Sequence, residues 1–380
     1  MPQSGWTAAR ARMNIASRPK TGSETAPADR LPLVSVVITN HNYARYLRAC
    51  FDSVQKQAYP RVECVIVDDN SSDDSHAVLD QIERSAPRFA TTVLRGAENA
   101  GQYGAMRKGF AASKGQFVAF LDADDLLDED FAAANVACHL SSKIYAAMST
   151  SDQWIIDAEG NRLGVNPRRQ YFPFMALPRR LLTAHEIESR PFALRFGVEL
   201  IAADANWPGY WIWGTTSSMM FRRDVLALIM ARDIEMRISA DDFLANFAHA
   251  IGGTAVIDRV LGSYRRHGAN NFADNLVLGG FAPLLRDKRT AEHTPRSHIG
   301  ACLEEDAAKF REVLGERLFA VVAMRFCGIR RGFRILRAHR VRRDYILGQF
   351  WRNVFMRVAQ WAQGYRRDFC WITFRRPTYW

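Results

Sequence analysis

Cysteine is scarce in this 380-residue chain, and its six copies (Cys50, Cys64, Cys138, Cys302, Cys327 and Cys370) never approach the paired spacing of a zinc site or a redox motif. They lie mostly among apolar neighbours, as free thiols buried in a reducing compartment do. Long hydrophobic runs are also missing. Every apolar stretch is broken by Arg, Asp or Gly short of the ~18 residues that span a bilayer, which speaks against a transmembrane anchor. Residues 1–30 lack the continuous apolar segment of a secretory signal and read as a flexible leader, with Arg10, Arg12, Arg18 and Lys20 scattered among Ser, Thr, Pro and Gly. Lysine is absent from Val321 onward, where fourteen Arg stand against two Asp. That tail carries +12 of an overall +11, leaving −1 for everything before it. What remains, 48% hydrophobic and 24% charged residues, suits a globular protein with a sizeable core.

Short β-branched runs alternate with amphipathic segments through the first 140 residues. Leu33 to Thr39 reads as a buried strand, and Leu47, Cys50, Phe51 and Val54 share one face of a helix over Ala44 to Gln57. Val62 to Val67 is a second strand, followed by a helix from about Asp74 to Ser85. Thr91 to Leu94 is a third strand, and a helix from about Gln102 to Ser113 stops at Gly115. Gln116 to Leu121 is a fourth strand and ends directly at Asp122. This alternation predicts an α/β fold with a mostly parallel, doubly wound sheet, whose ligands bind beyond the carboxyl ends of the strands. Polar residues stand at those ends: Asn40 and Asn42, then Asp68 and Asp69, then Asp122, Asp124 and Asp125. Further on, Asp157 to Asn161 reads as a hairpin turn, Ser217 to Phe221 and Ala255 to Leu261 as strands, and Asp224 to Met230 and Asp242 to Ile251 as helices.

Three carboxylates at the end of one apolar strand repel one another unless a cation relieves them. A hard divalent ion is held by one or two carboxylates plus substrate phosphates, and it can neutralise a departing diphosphate. The alternative is that Asp124 and Asp125 only help to start the next helix. At the second strand end a carboxylate could accept the imino proton of a pyrimidine, while Ser72 or Asp73 caps the following helix.

Val36-Val-Ile-Thr-Asn-His-Asn42, Val67-Asp-Asp-Asn-Ser-Ser-Asp73, Asn99-Ala-Gly101 and Leu121-Asp-Ala-Asp-Asp125, in that order, resemble the inverting glycosyltransferase family 2, with its GT-A fold. The resemblance covers about residues 33–265. It implies that Thr39, Asn40 and Asn42 line the nucleoside pocket and that Asp68, with Asp69 beside it, reads the base. Asp122 matches the first acid of the DxD motif, facing ribose and metal, and Asp124 the second, a direct ligand of Mn²⁺ or Mg²⁺. Asn99 opens the helix that follows the third strand in the donor site. Where many members carry Arg-Asn this chain has Met106-Arg107, which leaves the place of Arg107 in donor binding open.

Inversion by direct displacement needs a base for the acceptor hydroxyl, and a carboxylate within hydrogen-bond reach can serve. Asp241-Asp242 resembles the family's Glu-Asp pair, with Asp242 aligned to the base; both could instead be helix-start acids. Tyr264-Arg-Arg-His267 resembles the Tyr-Arg-x-His segment that closes many family sites, making His267 a metal-ligand candidate. Trp207, Trp211 and Trp213 fall where relatives place the acceptor, and Trp211 and Trp213 are the acceptor candidates, though three tryptophans so close could equally be core.

The expected organisation is a leader (1–30), a GT-A catalytic domain (31–270, with a nucleotide-binding half over 31–141 and an acceptor half over 142–270) and a helical, Arg-rich C-terminal extension (271–380). The implied donor is a nucleotide-diphosphate sugar and the acceptor a glycan or lipid-linked hydroxyl in cell-surface polysaccharide synthesis. In the tail, Arg330, Arg331, Arg334, Arg337, Arg340, Arg342 and Arg343 flank Phe333, Ile335, Leu336 and Val341. That pattern suits the surface of an anionic membrane, so the expected location is cytoplasmic, at the inner face of the membrane. The rival for the tail is a helical appendage packed on the catalytic domain or on a partner subunit. Without a recognised reader module, nucleic acid is not expected. Two alternatives to transfer are a sugar nucleotidyltransferase, whose Gly-rich phosphate loop is missing after the first strand, and a noncatalytic nucleotide-sugar or glycan-binding module, for which an Asp242 beside an intact DxD would be unneeded.

Overall fold

The structure is a computed structural model that describes residues 30–141, 145–165, 179–182, 196–203, 213–267 and 295–351. Strands β1 (Val34–Asn40), β2 (Val62–Asp68), β3 (Ala90–Arg95) and β4 (Phe117–Asp122) lie side by side, all parallel, in the order β3-β2-β1-β4. Helices α1 (Ala44–Gln55), α2 (Ser75–Arg84) and α3 (Gly101–Ala112) connect them.

A parallel strand buried on both faces should send alternate side chains into two cores, and these do. Val36, Ile38, Cys64, Ile66, Ala119 and Leu121 join the core beneath α1 and α2, whereas Val37, Val65, Val67, Val118 and Phe120 join the one beneath α3. The helix α3 packs tightly on β1, because a Cβ at Gly109 would lie 2.2 Å from a Val37 methyl. Register brings the functional ends abreast, pairing Asn40 with Asp68 and Thr39 with Asp122.

Past β4 the sheet turns mixed. The two-residue strand β5 (Leu126–Leu127) and helix α4 (Phe131–Leu140) precede β6 (Met148–Ile156), and the hairpin turn expected at Asp157 to Asn161 joins β6 to β7 (Arg162–Val165). Short strands β8 (Arg179–Leu182) and β9 (Val198–Ile201) form the far edge. The strand expected from Ser217 begins two residues later as β10 (Met219–Arg222), since residues 216–218 coil into a 3-10 turn. It runs antiparallel between β4 and β6. Helices α5 (Arg223–Ile229) and α6 (Ala240–Gly252) lead to the long β11 (Thr254–Arg265), which pairs with β6, β9 and β5. The result is an α/β fold with a central sheet flanked by helices, the GT-A class that the sequence implies.

Further helices follow, among them α7 (Pro295–Glu305), α8 (Ala307–Phe326) and α9 (Gly328–Ala338). Ile299, Leu303, Phe310, Phe319, Val322 and Leu336 enter the same core as Phe243, Phe247 and the α3 face of the sheet. Ile335, Leu336 and Val341 are buried there, so this part of the apolar stripe is committed to protein. No helix among the described residues is long and apolar enough to cross a membrane.

Candidate active site

The first two motifs hold each other. Asn40 is 1% exposed, and its side-chain amide donates to Asp68 Oδ1 at 2.6 Å and to Ser75 Oγ at 2.9 Å. Asp68 is 0% exposed, and its carboxylate also accepts Ser71 Oγ at 2.6 Å and Ser71 N at 3.1 Å. Asn40, expected at the nucleoside pocket, and Asp68, expected to read the base, are thus tied to each other. Both face inward and lock the turn between β2 and α2. Asn42, at a left-handed φ of 62°, accepts the Ser72 N–H at 2.7 Å through its side-chain carbonyl and fastens the same turn from outside.

Asp69 points the other way. Its Oδ1 accepts the Ala100 N–H at 2.9 Å, joining the second motif to Asn99-Ala-Gly101, and Lys108 Nζ lies 3.9 Å from it. Exposed Asn99 reaches His41 Nε2 at 3.1 Å. Gly101 takes φ +75°, and a Cβ there would sit 2.7 Å from the Arg237 Cα. This close approach lets the N–H groups of Gln102 and Tyr103 donate to the carbonyls of Arg237 and Met236, so the segment before α6 caps α3. Gln102 Oε1 then accepts the Ala240 N–H at the start of α6. Arg107, whose place in donor binding the resemblance leaves open, makes a 2.9 Å ion pair with Asp233.

Asp122, Asp124 and Asp125 have separate surroundings. Thr39 Oγ1 donates to Asp122 Oδ1 at 3.3 Å. Burial, then the charges of Asp124 and Asp241, push Asp122 up to about 7. Asp241 is pushed up to about 6, chiefly by burial. The Asp241 charge is thus felt at Asp122. Asp124 Oδ2 lies 3.0 Å from His267 Nε2, and the His267 ring is enclosed by Tyr43 and Tyr46. Asp125 is fully buried and accepts Ser217 Oγ at 2.6 Å and Arg265 N at 2.9 Å. Asp242 Oδ1 accepts the Asn246 side-chain amide at 2.5 Å, one turn along α6.

The residues fit a divalent cation only in part. Among the described residues no three His, Cys, Asp or Glu side chains form a metal group on their own. One carboxylate and one imidazole at 3.0 Å suit an ion whose other ligands come from substrate phosphates.

Trp213, an acceptor candidate, lies in the interior. It is 2% exposed, its indole N–H donates to Thr254 Oγ1 at 3.1 Å and its ring meets the edge of His249. Trp207 and Trp211 lie outside the described residues. Sequence reasoning missed Ser217, Asn246 and Arg265 as site residues. Arg265 stacks over Tyr46 at 4.8 Å and its Nε donates to the Asp124 carbonyl at 2.8 Å. It stands inside the Tyr-Arg-x-His segment, which was the available signal.

The model of glycosyl transferase family 2 matches residues 35–174. An uncharacterized glycosyltransferase of Nostoc sp., alr2836, is 32% identical over 239 residues, 63% of this chain and 66% of its own length. The Bacillus subtilis glycosyltransferase TuaG, whose name assigns it provisionally to teichuronic acid biosynthesis, is 37% identical over 99 residues, 26% of this chain and 38% of its own. The chain thus spans no more than about two thirds of these curated relatives. Among solved structures, S. aureus TarS 1–349 in complex with UDP-GlcNAc aligns with a TM-score of 0.47 at 15% identity, covering 78% of this chain and 71% of its own. With its four motifs in order on β1, β2, α3 and β4, the chain carries a glycosyl transferase family 2 domain over residues 35–174.

Proposed function

We propose that this chain moves a sugar, with inversion, from a nucleoside-diphosphate sugar to a hydroxyl of a glycan or lipid-linked acceptor in polysaccharide synthesis. The observation that carries the reading is the meeting of side chains from separate elements: Asp124, two residues past Asp122 at the end of β4, lies 3.0 Å from His267 just past β11, and the charge of Asp241 at the start of α6 reaches Asp122. Asp69, whose carboxylate also fixes the start of α3, replaces Asp68 as the base-facing acid. Thr39 and Asn99 border the same strand-end crevice. Asp242, oriented by Asn246, takes the proton from the acceptor hydroxyl as that oxygen attacks the sugar. A divalent cation, when bound by Asp124 and His267 with Asp122 beside them, supplies charge neutralisation for the leaving diphosphate.

A thermal-shift panel of UDP-, GDP-, CMP- and dTDP-sugars, each with and without Mn²⁺ or Mg²⁺, tests the reading. One nucleotide should give a metal-dependent rise in Tm; no rise with any would defeat it. The pH dependence has a definite sign. Asp122 and Asp241 are raised above their unfolded values, so without metal they favour the fold below about pH 4, and that contribution is lost as pH rises through about 6 to 7. Metal binds the ionised form. The metal-induced shift should therefore be small at pH 5.5 and several-fold larger at pH 8, and a shift of equal size at both would contradict this assignment.

The tail is read as a peripheral contact with an anionic membrane at the inner, cytoplasmic face. Arg331 and Arg334 are spent on Glu304. Arg330, Arg337, Arg340 and Arg343 are exposed and without ion pairs among the described residues, and Leu347 and Trp351 stand exposed nearby in sequence, at 41% and 65%. Near an anionic surface each arginine contributes ~1 kcal/mol. Changing all four to Gln should lower flotation with phosphatidylglycerol vesicles at least tenfold, and undiminished flotation would refute the membrane contact.

A further inference from the structure

The DxD turn and the segment carrying His267 come from strands that are not neighbours, since β10 and β6 lie between β4 and β11 in the sheet. The chain closes that gap immediately after the DxD turn. Leu126 and Leu127 pair antiparallel with Ser263 and Gly262, and the Asp128 N–H continues the pairing to the Leu261 carbonyl. A Cβ at Gly262 would lie 3.0 Å from the Leu126 carbonyl oxygen, so the two segments touch backbone to backbone.

One side chain completes the junction. Asp125 is 0% exposed, and its two carboxylate oxygens serve different arms of the site. Oδ1 accepts the N–H of Arg265, two residues before His267, at 2.9 Å. Oδ2 accepts the hydroxyl of Ser217 at 2.6 Å, and that same hydroxyl oxygen accepts the N–H of Asp122 at 3.1 Å. Arg265 returns the bond, because its Nε donates to the Asp124 carbonyl at 2.8 Å. The ring of contacts runs from Asp122 through Ser217, Asp125 and Arg265 to Asp124, and His267 is the next residue but one.

We propose that Asp125 is a positioning residue that sets the span between the Asp124 carboxylate and the His267 imidazole, with Ser217 as its relay to Asp122. The inference rests on the reading of Asp124 and His267 as metal ligands. It adds that the third acid of the run takes no part in ligation and is required for the other two groups to meet one ion. Residues that orient metal ligands change affinity by about 10- to 100-fold when altered.

The test is binding of Mn²⁺ alone to the full chain, followed by loss of the free-ion electron paramagnetic resonance signal well below the melting temperature. Asp125→Asn keeps size and retains an acceptor for the Arg265 N–H, but presents an amide N–H₂ to Ser217 and should weaken Mn²⁺ about tenfold or more. Ser217→Ala removes only the relay and should weaken it several-fold; it also decides the matter if Asp125→Asn fails to fold. Asp124→Asn serves as the ligand-loss control. Mn²⁺ affinity unchanged within twofold in both folded variants, with wild type and control behaving as stated, overturns the positioning role alone. Absence of Mn²⁺ binding by the wild type overturns the metal reading and this inference together.

Discussion

Asp242→Asn is expected to leave binding of the nucleotide-sugar within about twofold and to lower the rate of transfer by about 10²- to 10⁴-fold, the range that a general base contributes. The substitution is close to isosteric, and the groups that hold residue 242 survive it. Its N–H still donates to the Ser239 carbonyl and to Asp241 Oδ1, and its side-chain oxygen can still accept the Asn246 amide. What disappears is proton affinity at the oxygen proposed to take the acceptor's proton. Single-turnover transfer, paired with a thermal-shift measurement of donor binding, separates the two effects. Unchanged transfer would reassign the base, with Asp241 the first residue to examine, since its charge reaches Asp122 and its carboxyl is pushed up to about 6 by burial. Loss of donor binding in parallel with transfer would mean that the Asp242 carboxylate organises the donor pocket instead.

Much of the fold over residues 31–141 is legible in the sequence because each strand there is a short β-branched run with its own turn, and because burial on both faces leaves little choice of register. Legibility fails where the deciding contact is distant in sequence. Asp68 and Asp69 are adjacent and chemically identical, yet strand alternation sends one to the interior against Asn40 and Ser71 and the other towards Ala100. Nothing local distinguishes them. Trp213 is as fit for a sugar platform in sequence as its neighbours, and its burial and its bond to Thr254, on a strand forty-one residues later, show that it belongs to the core. Ser217 was read as the first residue of a strand, but it sits in the turn before that strand and meets Asp122 and Asp125 from ninety-five and ninety-two residues away. Strands β5, β8 and β9, of two to four residues, are too short to show any period.

The second large effect concerns the C-terminal helices, and it follows from where their apolar residues go. Ending the chain at residue 294 is expected to abolish cooperative folding of the catalytic domain as well as any attachment through the tail. Ile299, Leu303, Phe310, Phe319, Val322 and Leu336 are each less than 3% exposed, in one core with Phe243 and Phe247 of α6. At about 1.5–3 kcal/mol for each large side chain buried, their loss rivals the roughly 5–15 kcal/mol by which a whole domain is stable. The loss would also reach the site directly. Arg232 pairs with Asp306 at 2.9 Å and with Glu305, anchoring the start of the segment whose Met236 and Arg237 carbonyls cap α3 and which then delivers Asp241 and Asp242. A truncated chain should therefore express mainly as insoluble protein or lack a sharp thermal transition, whereas neutralising Arg330, Arg337, Arg340 and Arg343 in the full chain should leave Tm nearly unchanged. Differential scanning calorimetry of the two proteins distinguishes a scaffold from an appendage. If residues 1–294 melt cooperatively within a few degrees of the full chain, the helices are dispensable for the fold, and the placement of Asp241 and Asp242 must rest on the bonds from α3 alone.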